Sequence, residues 1–477
     1  MKARFKRAAA AAALGTSVLA GCSLPSSVLE RVADNRYEPP SAPIHCEGRK
    51  VCDEADALYI ADLHADTLLW TRELSDLLPE HRGHGHVSLE LLREGRTDLQ
   101  VFAAPTITPL HEGYTDPVTG EPGVCIPSDG LDLQVPLRLF GGAARYPATV
   151  LSPRARALRQ AARLEEWIAE PGSRLRRVRT VPDLDAAEAQ GEIGALFALE
   201  GMHWVGGDET AVRAELAELA RIGVRMASLT HRFANGLAVG SEDCGLLRDP
   251  SRQDAGLSAA GRWALDEMMA RGIIVDVAHA SPASIAQITE LVRARRAAAG
   301  TGAAGRIPGL LHSHGGVQAV CPLPRNLDRA SIQAILDAGG VVGIGYWPEA
   351  LCSRTGDLPE VALRFAASLV AVIEAARDPA FLGRRAQAGA APIDPFAHIA
   401  LGSDFDGAVR LKMDAGDQPA LLQALAEMDC ATLKAVDPRL ADVCAATSPP
   451  ALPLTPERLK ALAGANARRV LAAALPR

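Results

Sequence analysis

Short apolar runs, spaced by longer stretches with a helical period, organise this chain. The runs cover residues 58–63, 99–104, 195–199, 225–230, 273–278, 309–313, 341–346 and 399–403. Each is brief, largely apolar and bounded by polar or small residues, as expected of a strand covered on both faces. Amphipathic helical patterns lie between most of them, at 209–222, 259–271, 281–299, 331–338 and 359–376. Most are long enough for a right-handed crossover between parallel strands. Eight strands close a barrel, so the pattern predicts an α/β chain folded as a (β/α)8 TIM barrel. An open doubly wound sheet is the alternative, but it would place a GxGxxG fingerprint after its first strand, and none occurs there.

Residues 105–190 interrupt the alternation after the second strand. This insertion has Pro- and Gly-rich turns and a helix near 153–170, and it is expected to hang over the mouth of the barrel. The Ala/Gly/Arg-rich stretches 297–306 and 384–391 read as low-complexity loops. Residues 418–428 and 455–471 read as closing helices. The second opens on Thr455 and Pro456, a capping hydroxyl followed by a first-position proline, and carries Gly464 as a weak point.

Active sites of this fold sit at the C-terminal ends of the strands, where the chain places His64 and Asp66, Glu200, His231, His279, His314, Tyr346 and Asp404. His64 and Asp66 alternate at the end of the first run and so share a face. Of twelve histidines, His45, His81, His84, His86 and His111 fall in loops, and His312 competes with His314 for the strand end. His64, Asp66, Glu200, His279 and His314 are too many donors for one tetrahedral ion. They suit two zinc ions about 3.5 Å apart, with Glu200 bridging and a shared water left as nucleophile. Gly201 would let the backbone come close behind Glu200. Asp404, in the stretch Gly402-Ser-Asp-Phe-Asp-Gly407, is the candidate proton carrier, while Asp406 suits a turn-holding role. Arg325 has the fork to clamp a carboxylate. Manganese or cobalt would fit the same donor types.

Composition narrows the partners. The 477 residues are 48% apolar, enough for a large core, and carry a net charge of −7 with 4% aromatics, which argues against nucleic acid. The first residues are a targeting segment, with Lys2, Arg4, Lys6 and Arg7 ahead of a small apolar run too short to span a bilayer. Leu19-Ala20-Gly21-Cys22 resembles the lipobox of bacterial lipoproteins. It implies a signal peptide at 1–21, lipidation of Cys22 and, from Ser23, sorting to the outer membrane facing the periplasm. Residues 22–56 would form a tether and N-terminal extension, and 57–477 the barrel domain. Removing Cys22 leaves eight cysteines in a compartment that permits disulfides. Cys46–Cys52, Cys430–Cys444, Cys321–Cys352 and Cys125–Cys244 are the expected pairs among many connectivities.

Taken in order, Asp62-Leu-His-Ala-Asp66, Ala198-Leu-Glu-Gly201, Leu229-Thr-His231, Val275-Asp-Val-Ala-His-Ala-Ser281, Ser313-His314, Arg325-Asn326, Gly402–Gly407 and Gly464-Ala-Asn466 resemble the membrane dipeptidase family, the renal dipeptidase-like M19 peptidases. The resemblance spans roughly 57–475. It implies a metal-dependent hydrolase barrel with two zinc ions that cleaves dipeptides by a metal-bridging hydroxide. His64 and Asp66 would hold one ion, His279 and His314 the other, and Glu200 would bridge them. It further implies His231 at the substrate carbonyl or oxyanion, Arg325 and Tyr346 at the substrate carboxylate, Asp404 as acid/base, and a homodimer as a frequent state. The chain departs from the family at Ala65 and Arg232, both commonly Asn, and in Glu94-Gly-Arg-Thr97. Another amidohydrolase-type activity on a cyclic amide or ester, or a lipid-anchored binding protein without catalysis, stands as the alternative.

Overall fold

The structure, a computed structural model, describes residues 51, 58–69, 85–107, 111–115, 122–125, 148–242, 255–299, 307–407, 409 and 411–477. The signal segment with Cys22, and all of 22–56 except Val51, lie outside the described residues.

The strands are β1 (Ile60–Ala65), β2 (Thr97–Pro105), β3 (His111–Thr115), β4 (Pro122–Cys125), β5 (Leu175–Val178), β6 (Ile193–Glu200), β7 (Val224–Ser228), β8 (Ile274–Asp276), β9 (Leu310–His312), β10 (Val341–Ile344) and β11 (Ile399–Leu401). Parallel pairing runs β2-β1-β11-β10-β9-β8-β7-β6, and β2 pairs with β6 to close the barrel. Each barrel strand falls within or overlaps one of the eight predicted runs. β3 and β4 form a separate antiparallel hairpin. β5, not anticipated, pairs with the first half of β6 from Leu175↔Ile193 to Val178↔Leu196, whereas β7 takes the second half from Phe197 onward.

Packing follows the alternation of the pleat. Ala61, Leu63, Leu99, Val101, Ala103, Leu196 and Ala198 belong to a fully buried cluster that also takes in Val470 and Leu471 of the helix Asn466–Ala474. That helix lies at the strand starts, where Ala473 O accepts from Ile307 N ahead of β9 and Pro476 O from Val181 N. It therefore plugs the end opposite the site. Gly464, just before it, passes so close to Tyr59 that a Cβ would lie 2.3 Å from its carbonyl oxygen, which explains the kink at this point. A second, larger cluster fills the space between the strands and the outer helices.

The helices Glu209–Arg221, Ala259–Arg271, Pro282–Ala299, Arg329–Asp337 and Leu358–Ala376 match the periodic stretches within two residues, and Thr455 caps its helix by accepting from Arg458 N. Of the insertion expected over the mouth, residues 108–110, 116–121 and 126–147 lie outside the described residues. Its helix Pro153–Ala169 docks on the flank of the barrel, with Trp167 edge-on to Phe102 at 6.1 Å and buried Arg156 donating to Thr106 O at 2.8 Å. An apolar helical stripe seeks the nearest uncovered sheet face, and here that face is the flank beside β2 and β5. The stretch 384–391 is not all loop, because the helix Pro379–Gln387 enters it.

Two of the expected disulfides are formed, Cys321–Cys352 and Cys430–Cys444. The pairs Cys46–Cys52 and Cys125–Cys244 fall on side chains outside the described residues. Among the described residues no helix is long and apolar enough to cross a membrane.

Candidate metal centre

Two buried carboxylates fix the strand ends. Asp62 on β1 accepts from Ser403 N at 2.8 Å and Ser403 Oγ at 2.6 Å, just beyond β11. Asp276 on β8 accepts from Ser313 N at 2.9 Å and Ser313 Oγ at 2.6 Å, just beyond β9. The first ties the loop carrying Asp404 to the strand carrying His64, and the second ties the loop carrying His314 to β8. Ser313 Oγ also lies 2.8 Å from His314 Nδ1. Since that hydroxyl proton goes to Asp276, Nδ1 is the donor and Nε2 keeps its lone pair.

Glu200, at the end of β6, sits at the centre. Its Oε1 is 2.9 Å from His279 Nε2, 3.5 Å from His314 Nε2 and 3.6 Å from His64 Nε2, while Oε2 is 3.6 Å from His231 Nε2. Asp66 Oδ1 and Asp404 Oδ1 lie 3.3 and 3.9 Å from His64 Nε2. Gly201 takes φ +74, and a Cβ there would meet His203 and His231 within 2.8 Å, so the close approach expected behind Glu200 is real.

These residues fit a cation. His64 Nε2, Asp66 Oδ1 and Glu200 Oε2 are buried without a hydrogen-bond partner, and His279 Nε2 and His314 Nε2 face each other at 3.1 Å. Leaving such atoms unmet is costly unless a positive charge joins them. Three overlapping sets each bring ligand atoms within 4.8 Å of one another: His64, Asp66 and Glu200; Glu200, His231 and His279; and His64, His314 and Asp404. Proximity alone thus leaves His231 among the possible ligands.

Charge is distributed unevenly. Burial opposes a charged His64, but Glu200, Asp66 and Asp404 outweigh it and push its pKa up to about 10. Burial, then Asp66, raises Glu200 well above the carboxylate range, and burial also raises Asp404. His279 and His314 are instead pushed well down by burial, with Arg325 and neighbouring imidazoles adding to it. Burial and His203 bring His231 down to about 3. His231 Nδ1 lies 2.6 Å from Ile107 O and must be its donor, so the neutral ring presents Nε2 to the cleft as an acceptor.

Arg325 approaches this cluster, with Nη2 donating to His314 O at 2.9 Å and Nη1 3.4 Å from His312 Nε2. His312 thus turns toward Arg325 and Gly343 O, leaving His314 nearest Glu200. Tyr346 departs from expectation. It is fully buried, and its hydroxyl accepts from Gln418 Nε2 at 3.1 Å between Phe365 and Phe405. A residue at the last position of an apolar run can point into the layer behind the sheet as readily as into the cleft, and this one does. Asp406 accepts from His86 N at 2.7 Å, so its side chain ties this loop to a distant segment of the chain. Sequence reasoning missed Glu242, whose Oε2 lies 3.5 Å from His279 Nδ1, and His203, whose Nε2 accepts from His231 N at 2.9 Å. Neither ends an apolar run. Asp62 and Asp276 carried a usable signal, since each stands two or three residues ahead of a histidine.

Comparison with known proteins agrees with this geometry. The family model for membrane dipeptidase (peptidase family M19) matches residues 54–436. Dipeptidase aclJ of Aspergillus oryzae is 30% identical over 217 residues, 46% of this chain and 41% of its own length. An uncharacterised dipeptidase of Schizosaccharomyces pombe is 26% identical over 45% of this chain and 42% of its own length, so the chain spans about two-fifths of these curated relatives. Among solved structures, dipeptidase AC, a family M19 metallopeptidase, superimposes with a TM-score of 0.55 at 18% identity, over 88% of this chain and 99% of its own. A Rhodobacter sphaeroides metallopeptidase, liganded with a phosphinate mimic of the dipeptide L-Ala-D-Ala, gives 0.54 at 19% identity over 87% and 99%. The barrel, the donors at its strand ends and a match over most of the sequence lead to one conclusion: this chain belongs to the membrane dipeptidase family, peptidase family M19.

Proposed function

We propose that this protein hydrolyses the single amide bond of dipeptides with two zinc ions, His64 and Asp66 holding one, His279 and His314 the other, and Glu200 bridging. The observation that carries this reading is the convergence of four imidazoles on one buried carboxylate at the C-terminal mouth of the barrel. When bound, the ions would lower the pKa of a shared water and polarise the amide carbonyl.

The remaining work falls to side chains. Asp404, held by its backbone N–H on His64 O at 3.2 Å, takes a proton from the attacking water and passes it to the departing nitrogen. Burial favours its protonated form, which suits the second of these steps. Arg325 receives the substrate's terminal carboxylate, which restricts the site to short peptides. His231 has Nδ1 committed to Ile107 O and faces the cleft with Nε2 as an acceptor; donating to an oxyanion would need a proton at Nε2, which burial and His203 oppose. Lipidation at Cys22 would tether the chain to the outer membrane on its periplasmic side.

The test is hydrolysis of free against C-terminally amidated dipeptides by the chain beginning after Cys22, with metal content measured on the same sample. L-Ala-D-Ala, mimicked by the ligand of the Rhodobacter sphaeroides neighbour, is a fitting first substrate. Cleavage of the free form alone with close to two zinc per chain supports the reading. Equal cleavage of both forms points to another amidohydrolase activity, and metal without cleavage to a binding protein.

A further inference from the structure

Glu242 and Arg232 stand outside the donor set yet touch it. His279 takes φ +63, an unusual conformation for a residue with a side chain. Its carbonyl is held by Ser241 N at 2.8 Å and by Thr230 Oγ1 at 3.2 Å, so the segment 230–242 wraps directly around it. At the end of that segment Glu242 Oε2 reaches to 3.5 Å from His279 Nδ1. The same carboxylate is gripped on both oxygens by Arg232, Nε to Oε2 at 3.1 Å and Nη2 to Oε1 at 3.0 Å. Arg232 also takes positive φ, at 68°, and its carbonyl accepts from Glu242 N at 2.9 Å. Backbone and side chains of these two residues therefore lock each other.

We infer that Glu242 is a positioning residue for His279, accepting from Nδ1–H so that Nε2 presents its lone pair toward Glu200 and His314, and that Arg232 anchors Glu242 for this task. A carboxylate behind a ligating imidazole fixes the tautomer and the ring plane and strengthens the donor. His314 has the equivalent partner in Ser313 backed by Asp276, whereas His279 Nδ1 is buried without a hydrogen bond, with the Glu242 carboxylate facing it at 3.5 Å. The departure at Arg232 from the family's usual Asn thereby acquires a purpose, to hold an acid that the chain supplies ten positions later at Glu242. This inference rests on the two-ion reading above.

The experiment is titration of the stripped chain with Zn2+ against a chromophoric chelator, resolving the two uptake steps for wild type, Glu242→Gln, Glu242→Asp and Arg232→Gln. Glu242→Gln is expected to weaken one step by about 10–100-fold and leave the other unchanged. Glu242→Asp should recover part of the loss, and Arg232→Gln should weaken the same step by a smaller factor. Cobalt substitution adds a spectroscopic readout, with the visible band of one ion altered. Unchanged uptake in Glu242→Gln, or equal weakening of both steps, overturns the inference while leaving the two-ion reading intact. A wild-type chain that takes up fewer than two ions overturns both. Should Glu242→Gln fail to fold, Arg232→Gln alone decides, since it leaves the acid in place.

Discussion

The two halves of the site share a scaffold and differ in charge. On the His64 side, Asp62 is clamped by Ser403; on the His314 side, Asp276 is clamped by Ser313, with oxygen and nitrogen distances that agree within 0.1 Å. Around His64 stand Asp66, Glu200 and Asp404. Around His279 and His314 stand Arg325 and other imidazoles, with Glu200 and Glu242 flanking His279 and burial the leading influence on both rings. One half is rich in negative charge and holds its histidine's proton; the other keeps its histidines neutral with lone pairs exposed. A repeated clamp thus supports two chemically distinct sets of donors, which meet at Glu200 and where His64 and His314 lie side by side.

That junction gives the largest expected effect. Glu200→Gln should abolish the distinction between halves by weakening uptake at both, and turnover should fall by several orders of magnitude. Retention of one ion at wild-type affinity, measured by chelator competition, would show that Glu200 belongs to one half only. Asp404→Asn comes next. It removes a proton carrier and no predicted ligand, so metal content should persist while kcat drops by about 10²–10⁴-fold. Loss of zinc from the His64 half instead would make Asp404 a ligand, as its grouping with His64 and His314 allows.

A paired substitution of the two serines sharpens the contrast. Ser313 Oγ touches an imidazole, whereas beyond Asp62 Ser403 Oγ meets backbone, the carbonyl of His64 at 2.8 Å and the N–H of Phe405 at 3.0 Å. Ser313→Ala should weaken uptake at the His279 half by about 10–100-fold. Ser403→Ala should cost mainly stability, about 1–3 kcal/mol for a broken buried hydrogen bond, read by urea unfolding of the metal-free chain. Equal loss of affinity in both variants would mean that the clamps tune metal binding through the backbone.

How far the sequence foretold this depended on what each feature relies on. The barrel strands were legible because burial on both faces leaves an unmistakable apolar run, and the helices because one apolar stripe repeats at a fixed period. His64, Glu200, His279 and His314 were legible because the fold delivers strand ends to one place. Glu242 was not, since it lies in a loop whose path is set by contacts with His279, and no period marks it. Tyr346 was misread because the position of a residue at a strand end does not determine the direction of its side chain. β5 was hidden by its charge, as Arg176 and Arg177 occupy two of its four positions.

The smallest effect, and the most direct test of the contrast in charge, is the proton balance of metal uptake. At pH 7 His64 holds a proton, its pKa raised from 6.5 to about 10, so filling the His64 half must expel it. His279 and His314 are already neutral and have none to lose. Affinity on the His64 side should therefore rise with pH up to about 10, while on the other side only the shared Glu200, itself raised by burial, has a proton to lose. Calorimetry of zinc uptake in buffers of different ionisation enthalpy counts the protons, and His279→Asn should retain the release that His64→Asn loses. The same group affects folding with the opposite sense. A pKa higher in the folded chain than in the unfolded one stabilises the metal-free fold fully below about pH 6.5, and that contribution is lost as pH rises through about 10. Raising the pH thus loosens the metal-free chain at the half where it tightens zinc, and a release shared equally by both halves would show that their difference in charge does not survive metal uptake.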